Sequence, residues 1–248
     1  MKGMVLAAGL GTRVRPLTDT RPKALVEING RTLLEITLTR LREFGVTDVI
    51  VNVHHFAGMV LEYLAAKQNF GMRIAISRED ELLLDTGGGL KKAAWFFLED
   101  GRDEPFLLHN VDVISNIDLA RMVEFYRSQP ALATLAVQQR ASSRQLLFDD
   151  DGLLCGRRFE KEQRTELARH AELLHPLAFC GIHVISPRLL NRMTEGGVFS
   201  IIETYLRLAA ADEKILAFRA DESHWRDLGT CESLEQAAED CRRGCLET

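Results

Sequence analysis

The sequence has few prolines, few aromatic residues and no long apolar run. Its 248 residues include 6 prolines and 18 glycines, and aromatic residues make up 7% of the chain. This composition excludes a collagen-like or linker-rich chain. The first apolar run, from Met4 to Leu10, is too short to span a membrane, and no signal-peptide cleavage site follows it. We therefore expect a globular, cytoplasmic protein with no membrane partner.

The chain also has fewer basic than acidic residues. The chain has 31 lysines and arginines against 36 aspartates and glutamates, which gives a net charge of −5. A general nucleic-acid partner requires a basic face, so we do not expect one. A small anionic substrate stays open, because a single pocket can be locally basic.

Cysteines are few and their number is odd. They are Cys155, Cys180, Cys231, Cys241 and Cys245. None forms a CxxC pair, so we interpret them as reduced thiols, with a zinc site or a disulfide as the alternative. His54 and His55 are adjacent after a predicted strand. They point to opposite faces there, so we expect no joint metal site.

Apolar segments alternate in type along the first half of the chain. Buried strands are predicted at 3–8, 48–53, 73–77, 105–109 and 132–137. Helices are predicted at 32–44, 59–68, 90–98 and 119–127. This repetition predicts an α/β fold with a mixed, mostly parallel sheet flanked by helices.

The second half is less regular. A hairpin is predicted around 150–152, and the charged segment 157–175 is interpreted as a surface excursion. Strands follow at 178–185 and 214–219, and helices begin near 187 and cover 200–210 and 232–243. Ser200 and Glu203 have the spacing of a capping box. No linker or repeat interrupts the chain, so residues 1–248 are predicted to form a single domain.

The most informative segment follows the first predicted strand. It reads Leu6-Ala7-Ala8-Gly9-Leu10-Gly11-Thr12-Arg13-Val14-Arg15-Pro16-Leu17-Thr18, and Arg21-Pro22-Lys23-Ala24-Leu25 comes after it. Gly9 and Gly11 allow backbone N–H groups to approach a phosphate, and Arg13 supplies a cation. Lys23 adds a second cation. The segment is neither a Walker loop nor a dinucleotide fingerprint. A tight turn with solvated cations is the alternative.

Two further motifs consist of glycines and acidic residues. Asp85-Thr86-Gly87-Gly88-Gly89 precedes a predicted helix, where bare N–H groups can face an anion or a base edge; a flexible turn is the alternative. Asp112 follows a buried strand, at the sheet edge where α/β proteins bind ligands. Asp227 lies in the segment 224–230. Converging carboxylates suit Mg²⁺, whereas a lone Asp after a strand is commonly a helix cap.

These motifs resemble those of the sugar-1-phosphate nucleotidyltransferases, which have a GT-A-like, Rossmann-like fold. The family's signatures are G-x-G-T-R-x-x-P-x-T, P-K-x-L, an N-G-D strand end and W-x-D-x-G-T, and the resemblance covers nearly the whole chain. The resemblance implies an enzyme that makes a nucleotide-sugar and pyrophosphate from a nucleoside triphosphate and a sugar 1-phosphate. It also implies a nucleotide-binding part, about residues 1–140, followed by a sugar-binding part, about 141–248.

The resemblance implies a role for particular residues. The catalytic residues would be Arg13, Lys23 and Asp112, and Mg²⁺ would be held by Asp112 and Asp227. The nucleotide-binding residues would be Leu6, Ala7, Ala8, Gly9, Gly11, Thr12, Arg13, Thr86, Gly87 and Gly88. The sugar-binding residues would be Glu160, Lys161 and Gly181, with Arg157 and Arg158 as candidates for an anionic substituent.

The sequence departs from the family pattern at two positions. Val111 stands where the family has glycine before the metal-binding aspartate, which narrows the expected nucleotide pocket or marks a subgroup. Glu162 stands where proline usually follows the E-K pair.

The short chain most resembles N-acetylmuramate-1-phosphate uridylyltransferases and short mannose-1-phosphate guanylyltransferases. We therefore expect UTP with an amino-sugar 1-phosphate, and keep a GTP-dependent mannose- or heptose-1-phosphate enzyme as the alternative. A non-catalytic nucleotide-sugar-binding regulator and an NAD-dependent oxidoreductase are rival classes. The regulator is disfavoured because all four charged residues of the motifs are present. The sequence leaves a homodimer open.

Overall fold

A computed structural model of the chain describes residues 1–244. The strands are β1 (Lys2–Leu6), β2 (Glu27–Ile28), β3 (Arg31–Thr32), β4 (Asp48–Val53), β5 (Arg73–Arg78), β6 (Phe106–Asn110), β7 (Val113–Ser115), β8 (Ala133–Gln138), β9 (Arg144–Phe148), β10 (Leu154–Phe159), β11 (Arg164–Leu167), β12 (His175–Ile185), β13 (Ile215–Arg219) and β14 (Trp225–Asp227). The α-helices are α1 (Leu33–Glu43), α2 (Ala57–Ala66), α3 (Asp85–Lys92), α4 (Ala94–Leu98), α5 (Leu119–Ser128), α6 (Pro187–Leu190), α7 (Ile201–Ala210) and α8 (Cys231–Arg242). Short 3₁₀ turns cover Thr12–Val14, Lys23–Leu25 and Gln68–Gly71.

One large sheet organises the molecule. Its strand order is β11-β10-β9-β12-β6-β1-β4-β5, and β8 joins it through β12 and pairs with β13. Strands β6, β1, β4 and β5 run parallel, whereas β12 is antiparallel to β6, β8 and β9. The predicted α/β fold class is confirmed. The antiparallel strands come mainly from the less regular second half of the chain.

Helices cover both faces of the sheet because neighbouring residues of a buried strand point to opposite sides. Val5 belongs to the core that contains α1, α2 and α8. Met4 belongs to the opposite core, which contains Leu90, Phe106 and Tyr205. The continuous apolar run of β1 therefore reflects burial on both faces, as expected of a central parallel strand.

The structure corrects three details of the predicted elements. The helix predicted at 90–98 is two helices, of which α3 begins at Asp85, so the three glycines lie inside it. The charged segment 157–175 contains the β10–β11 hairpin, in which Arg157 and Glu166 form a cross-strand ion pair at 2.6 Å. A polar edge hairpin of this kind has no apolar alternation to reveal it. The Ser200 side chain caps α7 by accepting from Ile202 N–H, and the capping box belongs to α8 instead.

The cysteines that the structure describes are not joined in disulfides. Cys155, Cys180, Cys231 and Cys241 are free thiols. Cys245 lies outside the described residues. Within residues 1–244, no helix has the length and apolar character needed to cross a bilayer.

Two histidines are buried in the sheet. His183 on β12 lies with its Nδ1 2.7 Å from the Tyr205 hydroxyl, and both side chains are fully enclosed. His109 on β6 is equally buried. Burial disfavours the imidazolium and lowers the pKa of each histidine to about 3, from an ordinary value of 6.5. Folding therefore holds both rings neutral.

Acid should consequently destabilise the fold through these two histidines. Below pH 6.5 these two histidines become protonated in the unfolded chain, whereas in the folded chain they stay neutral down to about pH 3. Between pH 6.5 and pH 3 the free energy of unfolding should fall by about 1.4 kcal/mol per pH unit for each histidine. Above pH 6.5 the two histidines should cause no such loss of stability. Urea unfolding at pH 7, 6 and 5 measures the slope. His183→Gln should lower the number of protons taken up on unfolding by about one, and the slope of the free energy of unfolding against pH should fall accordingly. The exposed control His55→Gln should leave this slope unchanged. An unaltered slope in His183→Gln would contradict the assignment.

Candidate active site

Two adjoining cavities open at the carboxyl ends of the parallel strands, where α/β sheets bind ligands. The first cavity has a volume of about 340 Å³. Its lining residues are Leu6, Ala8, Gly9, Lys23, Asn52, Leu83, Asp85, Thr86, Asn110, Val111, Asp112 and Val198. The second cavity has a volume of about 620 Å³ and shares Asp85 and Asn110 with the first. Its polar lining includes Arg13, Arg140, Arg144, Arg157, Arg158, Ser200, Glu203 and Asp227.

The glycine loop after β1 folds back on itself. Gly11 has a φ of +64°, and a Cβ there would lie 2.8 Å from Thr18 Cγ2 and 3.0 Å from Lys23 Cβ. Only glycine suits both the backbone and the space. Thr18 Oγ1 donates to the Gly11 carbonyl at 2.8 Å and closes the loop. A Cβ on Gly9 would meet nothing within 4 Å, so the backbone at Gly9 faces open space.

Lys23 and Asp112 form an ion pair in the first cavity. Lys23 Nζ lies 2.5 Å from Asp112 Oδ2, and the two side chains are 8% and 26% exposed. The lysine is therefore held almost out of solvent, in reach of anything that enters the first cavity. A charge-assisted contact of this kind fixes the position of a cation more firmly than a neutral one does.

Asp227 is brought beside Asp112 by strand pairing. The short strand β14 runs antiparallel to β7, with Asp227 opposite Val113. Leu228 N–H donates to the Asp112 carbonyl at 2.8 Å, which fixes the two backbones next to each other. The two predicted metal-binding aspartates are thus neighbours in space, although Asp112 lines the first cavity and Asp227 the second.

Arg13 reaches the same place as Asp227. Gly229 N–H donates to Asp227 Oδ1 at 2.8 Å. A Cβ on Gly229 would lie 2.7 Å from Arg13 Nη2 and would also contact Asp227 Oδ1. The guanidinium and the carboxylate therefore converge on the open face of Gly229, a glycine that the predicted motif contains without a stated role.

Two glycines of α3, Gly87 and Gly88, do not have the bare N–H groups that the sequence predicted. The N–H groups of Gly87 and Gly88 both donate to the Phe199 carbonyl, at 3.0 and 3.3 Å, so they are not bare. A Cβ on Gly87 would collide with the Phe199 ring. The run is glycine-rich because the segment before α7 packs directly on the helix backbone. Thr86 lines the first cavity, and its Oγ1 accepts from Ile201 N–H at 3.0 Å.

The predicted sugar-binding residues divide into two groups. Gly181 lines the second cavity with a φ of +72°, and a Cβ there would lie 2.9 Å from Asn110 Nδ2. Glu160 and Lys161 are exposed in the turn between β10 and β11, and neither lines the first or the second cavity. Glu160 instead pairs with Arg158 at 2.7 Å. Val111 is largely buried but lines the first cavity, and its N–H donates to the Leu6 carbonyl at 3.1 Å.

Sequence reasoning missed a stacked arginine in the second cavity. The Arg140 guanidinium lies 3.7 Å above the centre of the Trp225 ring, and its Nη2 donates to the Phe179 carbonyl at 2.9 Å. Trp225 Nε1 donates to the Cys180 carbonyl at 2.7 Å, which holds the ring in place. Burial lowers the pKa of Arg140. Trp225 stands in the W-x-D motif and was visible there, whereas nothing in the sequence around Arg140 marks that residue.

Solved structures share this architecture. The chain superposes on a UDP-glucose pyrophosphorylase complexed with UDP-glucose with a TM-score of 0.76 and 18% identity, covering 98% of each chain. It superposes on HddC of Yersinia pseudotuberculosis complexed with GMP-PN with a TM-score of 0.73 and 20% identity, covering 97% of this chain and 99% of that one. The fold is therefore the Rossmann-like fold that nucleotidyltransferases use.

Sequence similarity narrows the class to a family. Residues 2–146 match the family model described as "Nucleotidyl transferase". The chain is 35% identical over 230 residues to the N-acetylmuramate alpha-1-phosphate uridylyltransferase of Caulobacter vibrioides, covering 91% of this chain and 90% of that protein. It is 30% identical over 236 residues to the mannose-1-phosphate guanyltransferase of Yarrowia lipolytica, covering 92% of this chain and 61% of that protein. The chain belongs to the nucleotidyl transferase family. The predicted family and the predicted class of enzyme are confirmed.

Gly229→Ala tests the convergence of Arg13 and Asp227. The added methyl group should displace both side chains, and a misplacement of about 1 Å can cost about 100-fold in turnover. Gly196→Ala is the matched control, because a Cβ there meets nothing within 4 Å and its φ is ordinary. Steady-state pyrophosphate release and a thermal melt should show a loss of activity only in Gly229→Ala, with both variants folded. Equal activities in the two variants would contradict the geometry.

Proposed function

We propose that the protein transfers the uridylyl group of UTP to an amino-sugar 1-phosphate that carries an additional carboxylate, of the N-acetylmuramate 1-phosphate type. The proposal rests mainly on the second cavity, whose arginine-containing lining adjoins the first cavity with its Lys23–Asp112 pair. The similarity to a muramate uridylyltransferase over 91% of the chain supports the same base and sugar.

The proposed reaction is an in-line displacement at phosphorus. An oxygen of the sugar phosphate attacks the α-phosphorus of UTP, the bond to the β-phosphate oxygen breaks, and pyrophosphate leaves. The acceptor phosphate is already an anion, so no serine or cysteine nucleophile is needed. Positioning and charge neutralisation are the protein's main contributions to such a transfer. Lys23 would neutralise the transferring and acceptor phosphates, and Arg13 would neutralise the leaving pyrophosphate.

The acidic residues fit the predicted Mg²⁺. Asp112 and Asp227 offer carboxylate oxygens from adjoining backbones, which are the donors that Mg²⁺ prefers. Within residues 1–244 no group of three or more His, Cys, Asp or Glu assembles into a complete metal site. The two aspartates would therefore hold the ion together with substrate phosphates and water. When bound, Mg²⁺ supplies charge neutralisation at the phosphates.

The two cavities suggest how the substrates divide. The first cavity would take the nucleotide, between the glycine loop and Thr86, and the second would take the sugar beside Gly181. Asn110 and Asp85 line both cavities, so the phosphates of the two substrates would meet at this junction. The expected nucleotide-binding part of the chain would thus contribute most of the first cavity, with Val198 added from the second part.

Charge at the second cavity favours an acidic sugar. Among the described residues, Arg140 and Arg144 form no ion pair with a carboxylate, and Arg13 forms none either, although it shares the space over Gly229 with the Asp227 carboxylate. Arg140 is half-buried, whereas Arg13 and Arg144 are exposed. A cation that is partly removed from water and forms no ion pair favours an anionic ligand, so Arg140 carries most of this argument. A neutral hexose 1-phosphate brings only its phosphate to the cavity. N-acetylmuramate 1-phosphate brings a lactyl carboxylate as well, and therefore matches the lining better.

Substitution of Lys23 and Asp112 tests the chemistry. Lys23→Ala and Asp112→Asn should each lower turnover by roughly 10²–10³ while the protein stays folded, because each removes an interaction with charge that develops during transfer. Pyrophosphate release is measured with ATP, CTP, GTP, UTP and dTTP against candidate sugar 1-phosphates. The exposed Lys92→Ala is the control. Near-normal release by both variants would refute the assignment, and a preference for GTP with mannose or heptose 1-phosphate would favour the alternative substrates.

Substitution of Arg140 tests the acidic sugar. Arg140→Met keeps much of the packing against Trp225 but removes the charge. It should raise KM for N-acetylmuramate 1-phosphate about tenfold, because a hydrogen bond to a charged group is lost. KM for N-acetylglucosamine 1-phosphate and for UTP should stay unchanged, as should all constants of the exposed control Arg127→Met. An equal effect on both sugars would show that Arg140 does not read the carboxylate.

A further inference from the structure

A buried carboxylate lies beneath the first cavity without a cationic partner. Glu79 follows β5 and is 1% exposed. Its Oε1 accepts from Asn52 Nδ2 at 2.7 Å, and its Oε2 accepts from Leu84 N–H at 2.8 Å. The adjacent Arg78 pairs with Asp80, and no lysine or arginine nitrogen of residues 1–244 lies within 4 Å of the Glu79 carboxylate. A buried charge of this kind is retained only where donors satisfy it.

Asn52 extends the contact to the glycine loop. Its side chain is 2% exposed, and its Oδ1 accepts from Ala7 N–H at 2.7 Å. Glu79 thereby joins three segments that line the first cavity: the loop after β1, the end of β4, and residues 83–86 before and at the start of α3. None of the proposed catalytic side chains takes part in this network.

The network leaves no room for a side chain at position 89, which is a glycine. A Cβ on Gly89 would lie 2.8 Å from both Asn52 Nδ2 and Glu79 Oε1. The third glycine of the α3 run is therefore needed to leave room for the network, whereas Gly87 and Gly88 are needed for packing. In an exposed turn, by contrast, a Cβ would meet no such neighbours.

Counting donors and acceptors shows why a charged carboxylate is required. The network contains three donors in series, namely Leu84 N–H, Asn52 Nδ2 and Ala7 N–H. An ionised Glu79 accepts twice and Asn52 accepts once, so every donor is satisfied. A glutamine at position 79 would accept only once, and its NH₂ would face another donor. Turning the Asn52 amide over would only move the donor–donor conflict to Ala7.

We propose that Glu79 is a positioning residue that, through Asn52 and Leu84, holds the backbone of the nucleotide-binding loops in the conformation that receives the nucleotide. The proposal rests on the proposed function only in taking the first cavity as the nucleotide site. Glu79 does not touch the reacting atoms, so it governs nucleotide binding rather than the chemical step.

An exchange of the two side-chain types provides a rescue. In the double variant Glu79→Gln with Asn52→Asp, the glutamine NH₂ donates to the new carboxylate and the glutamine oxygen accepts from Leu84 N–H. The other oxygen of the new aspartate accepts from Ala7 N–H. Every group is again satisfied, and the total charge is unchanged. Each single variant leaves a conflict: two donors face each other in Glu79→Gln, and two carboxylates face each other in Asn52→Asp.

Kinetics distinguish positioning from general damage. Glu79→Gln should raise KM for the nucleoside triphosphate about tenfold through one unsatisfied buried hydrogen bond, with kcat and KM for the sugar 1-phosphate within about twofold. The double variant should recover most of the loss. If a single variant fails to fold, folding of the double variant supports the proposal. A double variant as impaired as its worse parent would overturn it, as would an equal rise in KM for both substrates.

Hydrogen–deuterium exchange provides a readout that needs no substrate. In the ligand-free protein, exchange in residues 5–10 and 82–88 should accelerate in Glu79→Gln and return towards the original rate in the double variant. Lys92→Ala should not change it. Unchanged exchange in Glu79→Gln would overturn the network whatever the enzyme's substrates are. A protein that turns over no nucleotide, yet shows the expected exchange pattern, would refute the proposed function and leave the network standing.

Discussion

The pairing of two three-residue strands, β7 and β14, is the constraint on which the candidate site depends. It places Asp227, near the end of the chain, against Val113 and beside Asp112. Asp112 in turn holds the almost buried Lys23, and Arg13 meets Asp227 over Gly229. The Lys23–Asp112 pair does not involve β14, but Asp227 and its contact with Arg13 reach the site through this pairing. Charges that must act together need backbones that meet, and here the backbones meet through very few hydrogen bonds.

The distribution of charge explains how an acidic protein can bind anions. The net charge of −5 describes the whole chain, whereas the lining of the second cavity includes Arg13, Arg140 and Arg144. Asp85, Glu203 and Asp227 line the same cavity, so its charges are mixed, and the local arrangement of the cations decides where an anion binds. The Arg140–Trp225 stack adds rigidity, because the guanidinium is fixed by a ring that is itself hydrogen-bonded.

Glycine illustrates both the reach and the limit of sequence reasoning. The run of three glycines is predicted to be functional, and the structure brings Thr86, the residue just before the run, to the first cavity. The predicted reason was wrong for Gly87 and Gly88, since their N–H groups bind the Phe199 carbonyl. A glycine indicates that another group approaches the backbone closely. It does not tell whether that neighbour is a ligand, a backbone segment or, as for Gly89, a buried carboxylate.

The sequence by itself determined the elements with a strong local signature. Apolar runs defined β1 and β4, the glycine loop with Arg13 and Lys23 followed a strand, and the order of the motifs defined the family. These features depend on residues close together in the chain. The polar β10–β11 hairpin, the stacking of Arg140 on Trp225 and the Glu79–Asn52 network were decided by the tertiary structure alone. Each joins side chains from separate elements whose individual residues look like ordinary surface or turn positions, because hydrogen bonds and stacking depend on distances in space that no local pattern records.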